Sequence, residues 1–95
     1  MASQVLELGA IVTRNIALGI ADILYAERSE PMAPEDSGWQ FTEGSKDQSN
    51  FENAQIWTVH EVIESDSTLR PFIDYPVGTR ILRNSKEDAW TLLDD

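Results

Sequence analysis

Cysteine is absent from this chain of 95 residues. That excludes a disulfide framework, a thiolate metal site and a thiol redox motif, and it suits a reducing cytoplasm. Histidine occurs once, at His60. A zincin helix needs a second histidine four positions on, and that position holds Glu64. A zinc site would have to complete itself with carboxylates alone, which is unusual, so no metal is expected. The five glycines stand isolated at 9, 19, 38, 44 and 78, never at the spacing of a phosphate-binding or dinucleotide-binding loop. There is no G-x-S-x-G elbow and no EF-hand spacing of acids. A nucleophilic triad would have His60 as its sole base. Long apolar runs are missing too: none approaches the ~20 residues of a membrane span. The opening MASQVLELG has neither the basic nor the apolar region of a secretory signal.

Basic residues are scarce. Seven Lys and Arg face 17 Asp and Glu, a formal charge of −10. Nucleic acid and anionic membranes repel such a chain, whereas basic protein surfaces attract it; solubility alone is the plainer reading of the same charge. The acid pairs Glu35/Asp36, Glu61/Glu64 and Asp94/Asp95 resemble a glycosidase dyad only in residue type. Acids are so plentiful that some must be neighbours by chance, and a solvated surface accounts for them better. No catalytic residue, cofactor or enzymatic activity is expected.

The chain is 41% hydrophobic and 25% charged. At this length folding hides about 65% of the unfolded surface, enough for one core, so residues 1–95 are expected to form a single domain. Residues 5–13 read as a buried strand, being short, apolar and rich in β-branched side chains. Residues 15–26 allow two readings. Ile16, Ile20, Ile23 and Leu24 share a helical face, with Gly19 weakening it; alternatively a turn at 17–22 leads into a strand at 23–28. Residues 29–38 hold two prolines, a glycine and three acids and read as a loop. Residues 39–42 alternate as a strand does, 43–50 form a polar loop, and 55–57 read as a strand.

Thr58 and Glu61 stand at capping-box spacing, which predicts a short helix over 59–64. A break at 65–67 follows, then a helical turn at 68–73 with Pro71 early enough to be tolerated. Residues 74–78 read as a turn. The last segment reads as a hairpin, 79–83 and 88–93 around a turn at 84–87, whose edge is open to dimerisation or strand addition. Arg80 and Arg83 lie on opposite faces of its first strand, leaving at least one exposed. The sum is a small α+β domain: a mostly antiparallel, twisted sheet with two short helices and a C-terminal β-hairpin.

Trp39, Trp57 and Trp90 are many for this length. Core packing accounts for a tryptophan in a small domain; an interface anchor is the alternative, since tryptophan is enriched among binding hot spots. Trp39, at the lip of the acidic 29–38 loop, is the best candidate anchor. The expected contact set is Trp39 with Glu35, Asp36, Glu43, Asp47, Glu61 and Glu64, facing a basic, partly apolar partner.

Several segments taken in order carry a resemblance. They are Ala10-Ile11-Val12-Thr13-Arg14-Asn15, Tyr25-Ala26-Glu27-Arg28, Asp36-Ser37-Gly38-Trp39, Asn50-Phe51 and Pro76-Val77-Gly78-Thr79. Over roughly residues 8–82 the chain resembles the thirty-three-like immunity domain of bacterial polymorphic-toxin systems. It departs in a shorter, mixed 43–50 segment and an apolar 16–22 segment. The resemblance implies a cytoplasmic immunity protein that binds and silences a cognate toxin, and the acidity of the chain points to a basic surface on that toxin. It carries no catalytic residue with it; Asp36, Gly38, Trp39, Pro76 and Gly78 match as structural markers. The alternative is a small acidic adaptor or regulatory module. Oligomeric state is left open.

Overall fold

Six strands pair in the order β4-β1-β3-β2-β5-β6, in a computed structural model that describes residues 4–43 and 53–93. The strands are β1 (Gly9–Val12), β2 (Tyr25–Arg28), β3 (Asp36–Thr42), β4 (Gln55–Thr58), β5 (Arg80–Leu82) and β6 (Thr91–Leu92). Among the described residues only the central β1–β3 pair is parallel, and the other pairs are antiparallel. The α+β class, the mostly antiparallel sheet and the C-terminal hairpin agree with the sequence reading.

The route of the chain explains the layering. From β4 at one edge it must cross the sheet to reach β5 beside β2. The crossing is made by α2 (Val59–Ser65) and the 3-10 helix η2 (Ser67–Phe72). Their apolar residues Val59, Val62, Ile63 and Leu69 pack with Ile73 against Ala10, Val12, Ala26, Trp39, Phe41 and Ile81 of the sheet. In a strand, residues two apart share a face, so Ala10/Val12 and Trp39/Phe41 point the same way, into this core. The Trp39 and Phe41 rings stack at 5.7 Å with an interplanar angle of 15°.

Local chemistry sets the element ends. The capping box at the start of α2 is complete. The Thr58 hydroxyl accepts the Glu61 amide at 3.1 Å, and the Glu61 carboxylate accepts the Thr58 amide at 3.0 Å. Asp66 then caps η2 by accepting the Thr68 amide at 3.1 Å. In β3, the register with β1 shifts between Gly9 and Ile11, which inserts a bulge at Ser37-Gly38. Gly38 takes φ of +84° there, and a Cβ on it would lie 2.1 Å from the Ser29 carbonyl oxygen. Only glycine suits both conditions.

Three sequence expectations are corrected in their bounds. The 5–13 segment is a 3-10 helix, η1 (Gln4–Glu7), followed by β1. The 15–26 segment resolves into one helical turn, α1 (Arg14–Ala17), then a turn, then β2; Gly19 with φ of +75° ends the helix. The 29–38 loop is shorter, because β3 already begins at Asp36. The 43–50 loop lies outside the described residues from position 44 onward. No helix among the described residues is long and apolar enough to cross a membrane.

Candidate partner-binding face

With α2 and η2 on one face of the sheet, the side chains between the core-facing ones point the other way. Register places five of them in one row across five strands: Ile56 opposite Ile11, then Gln40, Glu27 and Arg80. No helix among the described residues covers this row. It is apolar at the β4 end and charged at the β5 end. Ile56 is 78% exposed and Ile11 38%.

Beside the two isoleucines, the 29–35 loop folds back over the start of β3. The Asp36 carboxylate holds it, accepting the Met32 amide at 3.0 Å and the Gly38 amide at 2.8 Å. The Gly9 amide donates to the Glu35 carbonyl at 2.7 Å, tying the loop to β1. The result is an open depression of about 280 Å³ whose walls include Ile11, Met32, Ala33, Glu35, Asp36 and Ile56. Met32 is 94% exposed. Glu35 is exposed, and its carboxylate has no hydrogen bond or ion pair among the described residues.

The expected contact residues do not form one cluster. Glu35 and Asp36 meet at this depression, with Asp36 occupied by its loop bonds. Glu43 lies just past the far end of β3, where it accepts the Thr13 hydroxyl at 3.2 Å. Glu61 and Glu64 are exposed on α2. Glu61 is committed to the capping box; the Thr58 amide bond above all, then the Thr58 hydroxyl, hold its carboxyl below the ordinary 4.5, with slight burial opposing and His60 assisting. Glu64 Oε1 stands 3.0 Å from His60 Nε2 one turn away. Asp47 lies outside the described residues.

Trp39 is corrected. It is only 1% exposed, and its indole N–H donates to the Ile73 carbonyl at 2.9 Å. It anchors the core instead of a partner, because β3 is a central strand and position 39 faces the helix layer. The expectation that at least one of Arg80 and Arg83 is exposed is corrected too: Arg80 is half-buried in β5, and Arg83, just past its end, is buried. The Arg83 guanidinium donates to the Ile23 carbonyl through Nε at 3.0 Å and Nη2 at 2.8 Å, pairs with Asp66, and lies 4.2 Å from the centre of the Trp90 ring.

Sequence reasoning missed Ile11, Met32 and Ile56. The apolar run around Ile11 looked buried on both faces. For Ile56 a signal existed: with Trp57 turned inward, its neighbour must turn outward. Met32 sits in a proline-bounded loop, where exposure follows from the loop itself. Among the described residues no group of three or more His, Cys, Asp or Glu is placed to hold a metal ion. Such a surface has the chemistry of recognition: an apolar patch with, at its rim, a carboxylate that has no partner among the described residues.

No curated protein and no solved structure matches the chain. Residues 10–94 match the sequence model of the immunity protein Imm33 domain. That match spans nearly the whole chain and includes every strand of the sheet but for Gly9 at the start of β1, and the chain accordingly belongs to the Imm33 immunity protein domain family.

Proposed function

We propose that this protein is a cytoplasmic immunity protein that binds a cognate bacterial toxin and neutralises it by stoichiometric occlusion, as part of a polymorphic-toxin system acting in competition between bacteria. Membership of the immunity domain family over residues 10–94 carries this reading. The formal charge of −10 supports it, since an acidic inhibitor is drawn to a toxin with a basic surface. Such steering raises association from about 10⁵–10⁶ to 10⁸–10⁹ M⁻¹s⁻¹. Speed is an advantage to a cell that must intercept a lethal molecule before it acts.

Inhibition of this kind requires no catalysis by the inhibitor. It requires a rigid scaffold and a presented surface, and Glu35, Glu61 and Glu64 supply exposed negative charge on elements anchored to one core. Among these Glu35 is the best-placed contact, its carboxylate having no partner among the described residues and lying beside exposed apolar side chains.

The test is co-expression with the product of the adjacent gene in a sensitive bacterial host, scoring growth and co-purification. Rescue with a stable 1:1 complex is the expected result. A neighbour that is harmless, or that kills regardless and does not co-purify, overturns the reading for that pair and moves the acidic-adaptor alternative ahead.

A further inference from the structure

We infer that the partner docks on the open face of the sheet at the β4–β1 edge, with Ile56, Ile11 and Met32 as the apolar centre and Glu35 as the steering rim. The occupant is a protein surface that presents an apolar side chain flanked by lysine or arginine. This deepens the immunity reading and rests on it.

The argument begins with exposure. Ile56 and Ile11 sit directly opposite each other on antiparallel strands, so their side chains form one continuous apolar unit. Met32 approaches from the loop above the same depression. An exposed methionine, with its flexible and polarisable thioether, moulds to a partner's contour, and methionine is enriched at interfaces. Among the described residues the core closes without these three side chains, on the other face of the sheet.

Charge selects the occupant. Glu35 stands at the edge of the patch without a salt-bridge partner among the described residues, and Asp36 lines the same wall. A second copy of this chain would bring two such acidic rims together, on molecules each carrying −10. An anionic bilayer is repelled in the same way. A basic protein surface with an apolar centre satisfies both the patch and its rim, in the usual arrangement of dry centre and charged border.

The experiment uses the full chain and the product of the adjacent gene, inactivated by mutation so that it can be purified. Association and dissociation are followed by surface plasmon resonance for wild type, Ile56→Asp, Met32→Asp and Glu35→Lys. All three positions are exposed, and circular dichroism with urea unfolding confirms that each variant folds. Ile56→Asp and Met32→Asp are expected to weaken binding at least about 30-fold, mainly through faster dissociation. Glu35→Lys is expected to slow association about three- to tenfold in low salt, with the difference fading in high salt. Folded Ile56→Asp and Met32→Asp variants that bind within about threefold of wild type would overturn the docking face while leaving the immunity reading standing. If wild type itself fails to bind or rescue, the immunity reading falls and takes this inference with it. Sedimentation of wild type alone should show a monomer; a dimer dissolved by Ile56→Asp would assign the face to self-association and overturn the inference too.

Discussion

The indole nitrogen of Trp39 donates to the main-chain carbonyl of Ile73 across the core, at 2.9 Å and 34 residues away in sequence. This bond joins the central strand β3 to the segment leaving η2. Arg28 reinforces the junction, donating to the Tyr75 carbonyl at 2.8 Å and the Ser37 carbonyl at 2.8 Å. The helix layer is therefore fastened to the sheet by polar contacts as well as by apolar packing.

Trp39→Ala should destabilise the fold by about 3–5 kcal/mol, the range for removing a large buried aromatic. Trp39→Phe retains most of the packing and loses the bond, and should cost about 1–3 kcal/mol. Urea unfolding checks both, with an unchanged denaturant slope marking a stability effect alone.

Removing Asp66 should leave the buried Arg83 cation unpaired. Asp66→Ala is expected to cost about 3–5 kcal/mol, the range for breaking a buried pair from one side. Arg83→Lys should also destabilise, because an ammonium cannot reproduce the forked donation to the Ile23 carbonyl. Thermal unfolding of the two variants against wild type measures this. A loss below about 1 kcal/mol in Asp66→Ala would count against the pairing as a structural tie.

Two glycines with positive φ separate conformational strain from collision. Gly78→Ala has φ of +97° and open space around its Cβ, so it should cost about 1–2 kcal/mol. Gly38→Ala adds the clash with the Ser29 carbonyl and should unfold the protein or destabilise it far more. Circular dichroism melts of the pair decide it; equal effects would contradict the close approach at the bulge.

Acid should weaken the start of α2 in a defined direction. Folding lowers the proton affinity of Glu61 below the ordinary 4.5, so the unfolded chain binds more protons there as pH falls. The capping contribution is present above that value and is lost as pH drops through the lower folded value. Glu61→Ala should therefore be less stable than wild type at neutral pH and converge on it in acid well below 4.5. Thr58→Ala should cost about 1 kcal/mol at neutral pH. Urea midpoints across the acid range provide the measurement.

Much of the architecture was legible because it is local. The Thr58/Glu61 box marks the α2 start by spacing alone, and both of its bonds form. The alternation from Trp39 to Thr42 marks β3, and the turn at 74–78 marks the approach to β5. The segment at 15–26 was not decidable from periodicity, because its isoleucines fit a helical face and a strand equally well. What settles it is pairing: Tyr25, Ala26 and Glu27 find partners on both β3 and β5.

The candidate site was less legible. Glu35 and Asp36 were named from charge and loop position, yet Asp36 is engaged in holding its own loop. Trp39 was weighed as an anchor or a core residue, and which it is depends on the face that its strand turns to the helices. Ile11 and Ile56 are 45 positions apart in the sequence, so no local pattern joins them.

The sequence by itself determined the size, the acidity, the lack of cysteine, and the family. All of these are carried by residue identity and short spacing. The tertiary structure alone decided which apolar residues are core and which are surface. A strand offers its two faces equally until a second layer covers one of them. Here the crossing of α2 and η2 from β4 to β5 covers the Trp39 face and leaves Ile11 and Ile56 to the solvent.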